Sequence, residues 1–135
     1  MDRDRIAVAG CSYGGIQTIL AAEGGAGKNP GVRAAVDFAG GAMTWRHAPA
    51  LQQRMLDAVK KAAVPIMFVQ AENDYDLSPS YALAKELAKS GKPHKLSIYP
   101  AYGNTVQDGH GGFCFRGVAV WGPDVLAFLD AYLKN

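Results

Sequence analysis

The chain has little charge of either sign to spare: 14 Lys and Arg against 12 Asp and Glu leave a formal +2 over 135 residues. No basic stripe gathers along it, which excludes the electrostatic footprint of a nucleic-acid or anionic-membrane protein. It has no apolar run of about 18 residues, as a membrane-spanning helix needs. Its start, "MDRDR", mixes acid and base where a signal peptide requires a basic start and a long apolar stretch. The expected compartment is therefore the cytoplasm. Cys11 and Cys114 are too few for a disulfide framework and lack metal-ligand spacing. Both are expected to be reduced, with a mutual disulfide as the alternative. No repeat, linker or low-complexity segment is visible.

What is present is a chain 49% apolar, long enough for one domain over residues 1–135 that buries roughly 65–70% of its unfolded surface. "RIAVAG" is an apolar run of strand length, and "YGGIQTILAAE" has helical spacing in Ile16, Ile19 and Leu20. "GGAGKNPG" supplies turn residues. "VRAAVDFAG" reads as a second strand, residues 45–62 as a helix broken near Pro49, and "VPIMFVQAEND" as a third strand. A helix follows from Ser78, a plausible cap, with Pro79 at its first position. "HKLSIYP" is a fourth strand, "AYGNTVQDGHGGFCFRG" a glycine-rich loop, and "WGPDVLAFLDAYL" a closing helix. Alternation of this kind predicts an α/β fold, a parallel sheet with helices on both faces and ligands at the carboxyl ends of the strands.

The first strand breaks abruptly into "GCSYGG" before its helix. A serine hydroxyl is a weak nucleophile until a base stands within hydrogen-bond reach and an acid orients that base. Gly10, Cys11, Ser12, Tyr13 and Gly14 fit G-x-S-x-G in strand-turn-helix context, where flanking glycines allow a tight backbone. The Tyr13 backbone N–H is one expected oxyanion donor. Centring the motif on Cys11 instead would put Ala9 and Tyr13 where glycines are wanted. The plainer alternative is a glycine-rich turn whose serine caps a helix. The acid is expected after the third strand, where "QAENDYDLSP" offers Glu72, Asp74 and Asp76; Asp74 lies in the first turn beyond the strand, with Asp76 second. The carboxylate not used would cap the turn or the next helix. The base is expected to be His110, set among glycines in "DGHGG", whereas His47 and His94 read as surface or packing residues. The resulting order, Ser12, Asp74, His110, is the one used by a single fold.

With "GCSYGG", "QAENDYD" followed by "SP", and "DGHGGF", the sequence resembles the carboxyl-terminal half of an alpha/beta-hydrolase, in its dienelactone hydrolase-like branch. The likeness spans essentially the whole chain, and the first half of that fold has no counterpart. It implies a three-layer sandwich of about four strands with flanking helices, and Ser12, Asp74 and His110 as nucleophile, acid and base. Dienelactone hydrolases proper carry cysteine at the nucleophile position, so serine shifts the implied activity toward general carboxylesterases. "NDYD" has one residue more before its proline than the commonest family pattern, which keeps Asp76 open. Two look-alikes fail. "AAEGGAGKN" has Ala22 where a phosphate loop needs its first glycine and Asn29 where it needs Ser or Thr, and "GCSYGG" has Ser12 in place of the second glycine of G-x-G-x-x-G. No ATP, NAD, metal or other cofactor is expected.

In the family fold the second oxyanion N–H comes from a loop in the first half. Here the nucleophile strand comes first and is expected to be a sheet edge, open to pairing. A homodimer covering that edge or a bare face is expected, or else a fragment in need of its missing half. The functional expectation is a serine hydrolase of small or short-chain esters working through an acyl-enzyme. About 25 residues separate the second and third strands, too few for a large lid. Met43, Trp45 and Phe113 are candidates to line an apolar acyl pocket, each also readable as core. A peptidase or acyltransferase with the same triad, and a non-catalytic assembly module, are the alternatives.

Overall fold

A computed structural model describes residues 1–24 and 29–134. Part of the turn expected at "GGAGKNPG", and with it part of the phosphate-loop look-alike, lies outside the described residues. Strand β1 is Ile6–Cys11, followed by helix α1, Tyr13–Ala21, and β2, Val32–Phe38. A 3-10 turn, Trp45–His47, leads into α2, Pro49–Lys60; β3, Ile66–Ala71, and α3, Ser78–Lys89, follow. After β4, His94–Tyr99, come a π turn at Asp108–Gly112, α4 at Phe113–Arg116 and α5 at Val118–Leu133.

The four strands pair in the order β1-β2-β3-β4, every pair parallel. β3 is buried along its whole length and β2 over its last five residues, as sheet covered on both faces requires, whereas β1 is only half-buried at the edge. Alternate side chains feed two cores. Ala35, Ile66 and Phe68 pack with Ile19, Met55, Val59, Leu83 and Leu87 beneath α1, α2 and α3. Val36, Phe38, Met67 and Val69 pack with Phe113, Val125 and Phe128 beneath α4 and α5. Successive crossovers of one hand stack the first three helices on one face, and the chain covers the other only after β4.

Three details depart from expectation. Ser78 is the first residue of α3 and makes no side-chain cap; instead the Asp76 carboxylate accepts the Ser78 N–H at 2.8 Å. The segment expected as a loop around His110 is helical from Asp108, and α5 begins at Val118 rather than Trp121. Cys11 and Cys114, expected to be reduced, are joined by a disulfide with Cα atoms 6.2 Å apart. The end of β1 and the start of α4 pack into the same core, which brings together cysteines separated by 103 residues. Among the described residues no single helix is long and apolar enough to cross a membrane.

Candidate active site

At the carboxyl end of β1 the chain turns so sharply that Ser12 takes φ 59° and ψ −113°, a left-handed conformation costly for a residue with a side chain. The Ser12 N–H donates to the Phe38 carbonyl at 2.8 Å, anchoring the turn to β2. Gly10 is what makes it possible: a Cβ there would lie 2.3 Å from the Gly14 carbonyl oxygen. Gly14 itself faces open space. The tight glycine on the helix side is Gly15, where a Cβ would lie 2.4 Å from Oδ1 of Asp37.

Although Ser12 sits at the N-cap of α1, its side chain makes no capping bond. Its Oγ lies 2.8 Å from Nε2 of His110, whose Nδ1 lies 2.8 Å from Oδ1 of Asp74. A carboxylate only accepts, so Nδ1 carries the proton and Nε2 is left to accept from the serine hydroxyl. His110 and Asp74 are buried, and the Tyr75 ring packs edge-on against the imidazole at 5.2 Å. Asp74 is thus the acidic residue brought to the histidine. Asp76 instead caps α3 and lies 4.0 Å from Arg46. His47 is exposed on the 3-10 turn, and His94 Nδ1 meets the Lys92 carbonyl at the start of β4. Cys11, bonded to Cys114, presents no thiolate. Tyr13 is the first helical residue, so its N–H has no intrahelical acceptor and stands beside Ser12 at the positive end of the helix.

Beside Ser12 opens an apolar cleft of about 230 Å³ lined by Tyr13, Ile16, Gly41, Met43 and Thr44. Met43 therefore lies where a pocket residue was expected. Trp45 and Phe113 do not; they are buried in the two cores. A second hollow across Met43 is lined by Arg46, His47, Tyr75 and Asp76. A larger cavity of about 410 Å³ lies at the amino-terminal ends of β2 and β3, away from the serine. Among the described residues no three His, Cys, Asp or Glu side chains converge as metal ligands do.

Several polar residues at the site carry no sequence signal. Asn73 donates to the Tyr102 and Thr105 carbonyls and accepts the Tyr102 N–H, stitching the turn after β3 to the segment that bears His110. Gly109 follows from this, since a Cβ there would lie 2.5 Å from the Asn73 side chain. Gln70 donates to Oδ2 of Asp74. Asp37, wholly buried at the end of β2, accepts the Gly40 N–H at 2.8 Å through one oxygen, while the other has no partner among the described residues. Burial pushes its carboxyl up to about 7, the Gly40 bond opposes the rise and the charge of Asp74 adds to it.

A parallel sheet with helices on both faces, and a serine on a strained strand-to-helix turn facing a histidine and an aspartate, define the alpha/beta-hydrolase class of fold. The chain belongs to the dienelactone hydrolase family, which it matches over residues 1–121. A search of curated proteins finds no match. Solved structures of similar fold include an alpha/beta hydrolase from a Medee basin deep-sea metagenome library, with TM-score 0.68 and 22% identity over 100% of this chain and 57% of that one. Esterase B from Lactobacillus rhamnosis gives TM-score 0.66 and 16% identity over 98% and 54%. Pyrococcus horikoshii acylaminoacyl peptidase gives 0.70 and 18% over 99% and 25%. The chain thus spans between a quarter and somewhat over half the length of these structures.

Proposed function

We propose that this chain carries the catalytic centre of a serine hydrolase acting on small carboxylic esters. The observation that carries the reading is the unbroken hydrogen-bonded line from Ser12 Oγ through His110 to Asp74, 2.8 Å at each step. In the proposed reaction Ser12 Oγ attacks the ester carbonyl carbon while His110 Nε2 takes the hydroxyl proton, and the Tyr13 N–H donates to the oxyanion. The C–O bond to the leaving alcohol then breaks and the alcohol takes the proton from His110. Water, deprotonated by His110, attacks the acyl-enzyme, releases the acid and restores Ser12. Asp74 holds the imbalance of charge on the imidazole throughout. The modest apolar cleft at Met43 and Tyr13 suits a short acyl group.

The setting belongs to the same proposal. A second copy against the open edge of β1 is the proposed partner, with neither nucleic acid nor membrane involved. In the proposed cytoplasmic setting the Cys11–Cys114 bond would have to compete with the cellular thiol pool.

Intact-protein mass spectrometry after a fluorophosphonate probe tests the chemistry. The expected result is one adduct, lost in Ser12→Ala and kept in Cys11→Ala, with ester turnover falling at least ~10³-fold in Ser12→Ala. Turnover of amides but not esters would move the reading to a peptidase. No adduct in any form would leave a non-catalytic assembly module.

A further inference from the structure

β3 is apolar from Ile66 to Val69 and then presents Gln70, only 1% exposed. A buried amide is costly unless its polar atoms are met. Here all are. Nε2 donates to Oδ2 of Asp74 at 2.9 Å and to the Asp76 carbonyl at 2.9 Å, and Oε1 accepts from the Ser80 hydroxyl at 2.5 Å. The orientation of the amide is fixed by chemistry, because a carboxylate and a carbonyl can only accept and both must face the nitrogen. Ser80, in the first turn of α3, is as deeply buried as Gln70.

Oδ1 of Asp74 is occupied by His110 Nδ1 and by the Tyr75 N–H at 2.7 Å. Gln70 therefore takes the other oxygen, and the carboxylate is held from both sides. Sheet formation does not require an amide at this position, since Met or Leu would bury there with no polar atom to satisfy. Nearby, Asp37 is a second buried carboxyl, and where it ionises its charge and that of Asp74 repel, which a donor on Oδ2 offsets.

We propose that Gln70, seated by Ser80, is a positioning residue for proton transfer: it fixes the Asp74 carboxylate at the angle that aligns His110 with Ser12. The proposal rests on the hydrolase reading above. Without the Gln70 donor the carboxylate would turn toward whatever donors remain, and the imidazole would lose its alignment with Ser12. The apolar cleft beside the serine includes neither Gln70 nor Asp74 in its lining, so binding there should change little.

The test compares wild type with Gln70→Met, Gln70→Glu and Ser80→Ala, using p-nitrophenyl acetate turnover, fluorophosphonate labelling rate and urea midpoints. Gln70→Met is expected to lower kcat roughly ten- to a hundredfold while KM stays within about twofold, and Ser80→Ala to lower it less. Gln70→Glu gives the signature that a packing role would not. The titratable groups around this position are Asp74 and Asp76 from the turn after β3, both bonded to Gln70, His110 on the far oxygen of Asp74, and Asp37 from β2, which feels the charge of Asp74; Arg46 stands against Asp76. When protonated, the introduced carboxyl donates an O–H to Asp74 as the amide does, whereas its ionised form repels Asp74. The ratio of variant to wild-type kcat should therefore climb about tenfold from about pH 8 to pH 6.

Wild-type kcat in folded Gln70→Met would overturn the proposal. If that variant does not fold, a flat ratio in Gln70→Glu would overturn it equally. A wild-type chain that neither labels nor turns over would remove the hydrolase reading and this proposal together, whereas a labelled wild type with indifferent Gln70 variants would remove only the proposal.

Discussion

Asp37 shows how much a single buried side chain can weigh. In the folded chain its carboxyl holds its proton to about pH 7, chiefly because it is buried, while the unfolded chain releases it near 3.8. Between those values the folded state binds more protons, so the associated stability is present at acid pH and is lost as pH rises toward 7. Over that span the effect reaches at most ~4 kcal/mol. Asp37→Asn keeps an oxygen for the Gly40 N–H and cannot ionise, but it sets two N–H donors, where the protonated acid sets one O–H, at a position that has no partner among the described residues, and the extra donor costs about 1–3 kcal/mol. The variant should be the less stable protein near pH 4.5 and should gain steadily on wild type up to pH 8. Urea melts at both pH values check this, and a difference that does not change with pH would overturn the assignment of a protonated Asp37. At this scale Ser12, Asp74 and His110 were legible because each sits in a short motif with its own backbone signature. Gln70 and Asp37 were not, since one polar residue inside an apolar run does not reveal what it will face.

Among the elements, the alternation of strands and helices was legible from apolar runs and turn residues, down to the break before α2 at Pro49. The segment from Asp108 to Arg116 was not. Its glycines argue for a loop, and it is helical because tertiary contacts hold it: Asn73 on one side, the core around Phe113 on the other, and Cys114 bonded to the end of β1. The disulfide was hidden by sequence distance, because only the packing of α4 beside β1 makes the pairing possible. Its position gives it a structural task, since Cys11 directly precedes Ser12 and Cys114 lies one turn beyond His110. Protein purified without reductant should yield no free thiol on titration in urea, and two thiols would contradict the bond. Reduction, or Cys11→Ser with Cys114→Ser, should lower stability by roughly 2–4 kcal/mol, with ~4.7 kcal/mol as the chain-entropy bound for so long a loop. A urea midpoint unchanged by reductant would show that α4 is held by packing alone.

For the whole molecule, the sheet order leaves β1 at one edge of the described four-stranded sheet. The apolar run "RIAVAG" does not by itself mark an edge, since it reads like the strands that are covered on both faces. In the structure β1 remains half-buried with Ala9 exposed, and Phe115, Val118 and Leu126 expose apolar surface on α4 and α5. A parallel edge with unpaired N–H and C=O groups beside apolar side chains is a template for another strand. The proposed second copy would cover it, and light scattering coupled to size exclusion should then return twice the 14.3 kDa of one chain at micromolar concentration. Ala9→Lys sets a charge in the middle of the edge, clear of Ser12, His110 and Asp74. It should shift the population to monomer while the fluorophosphonate adduct at Ser12 persists. A wild-type chain that runs as a monomer at every concentration would leave the β1 edge to some other occupant, and labelling lost together with the dimer would mean that the second copy completes the site.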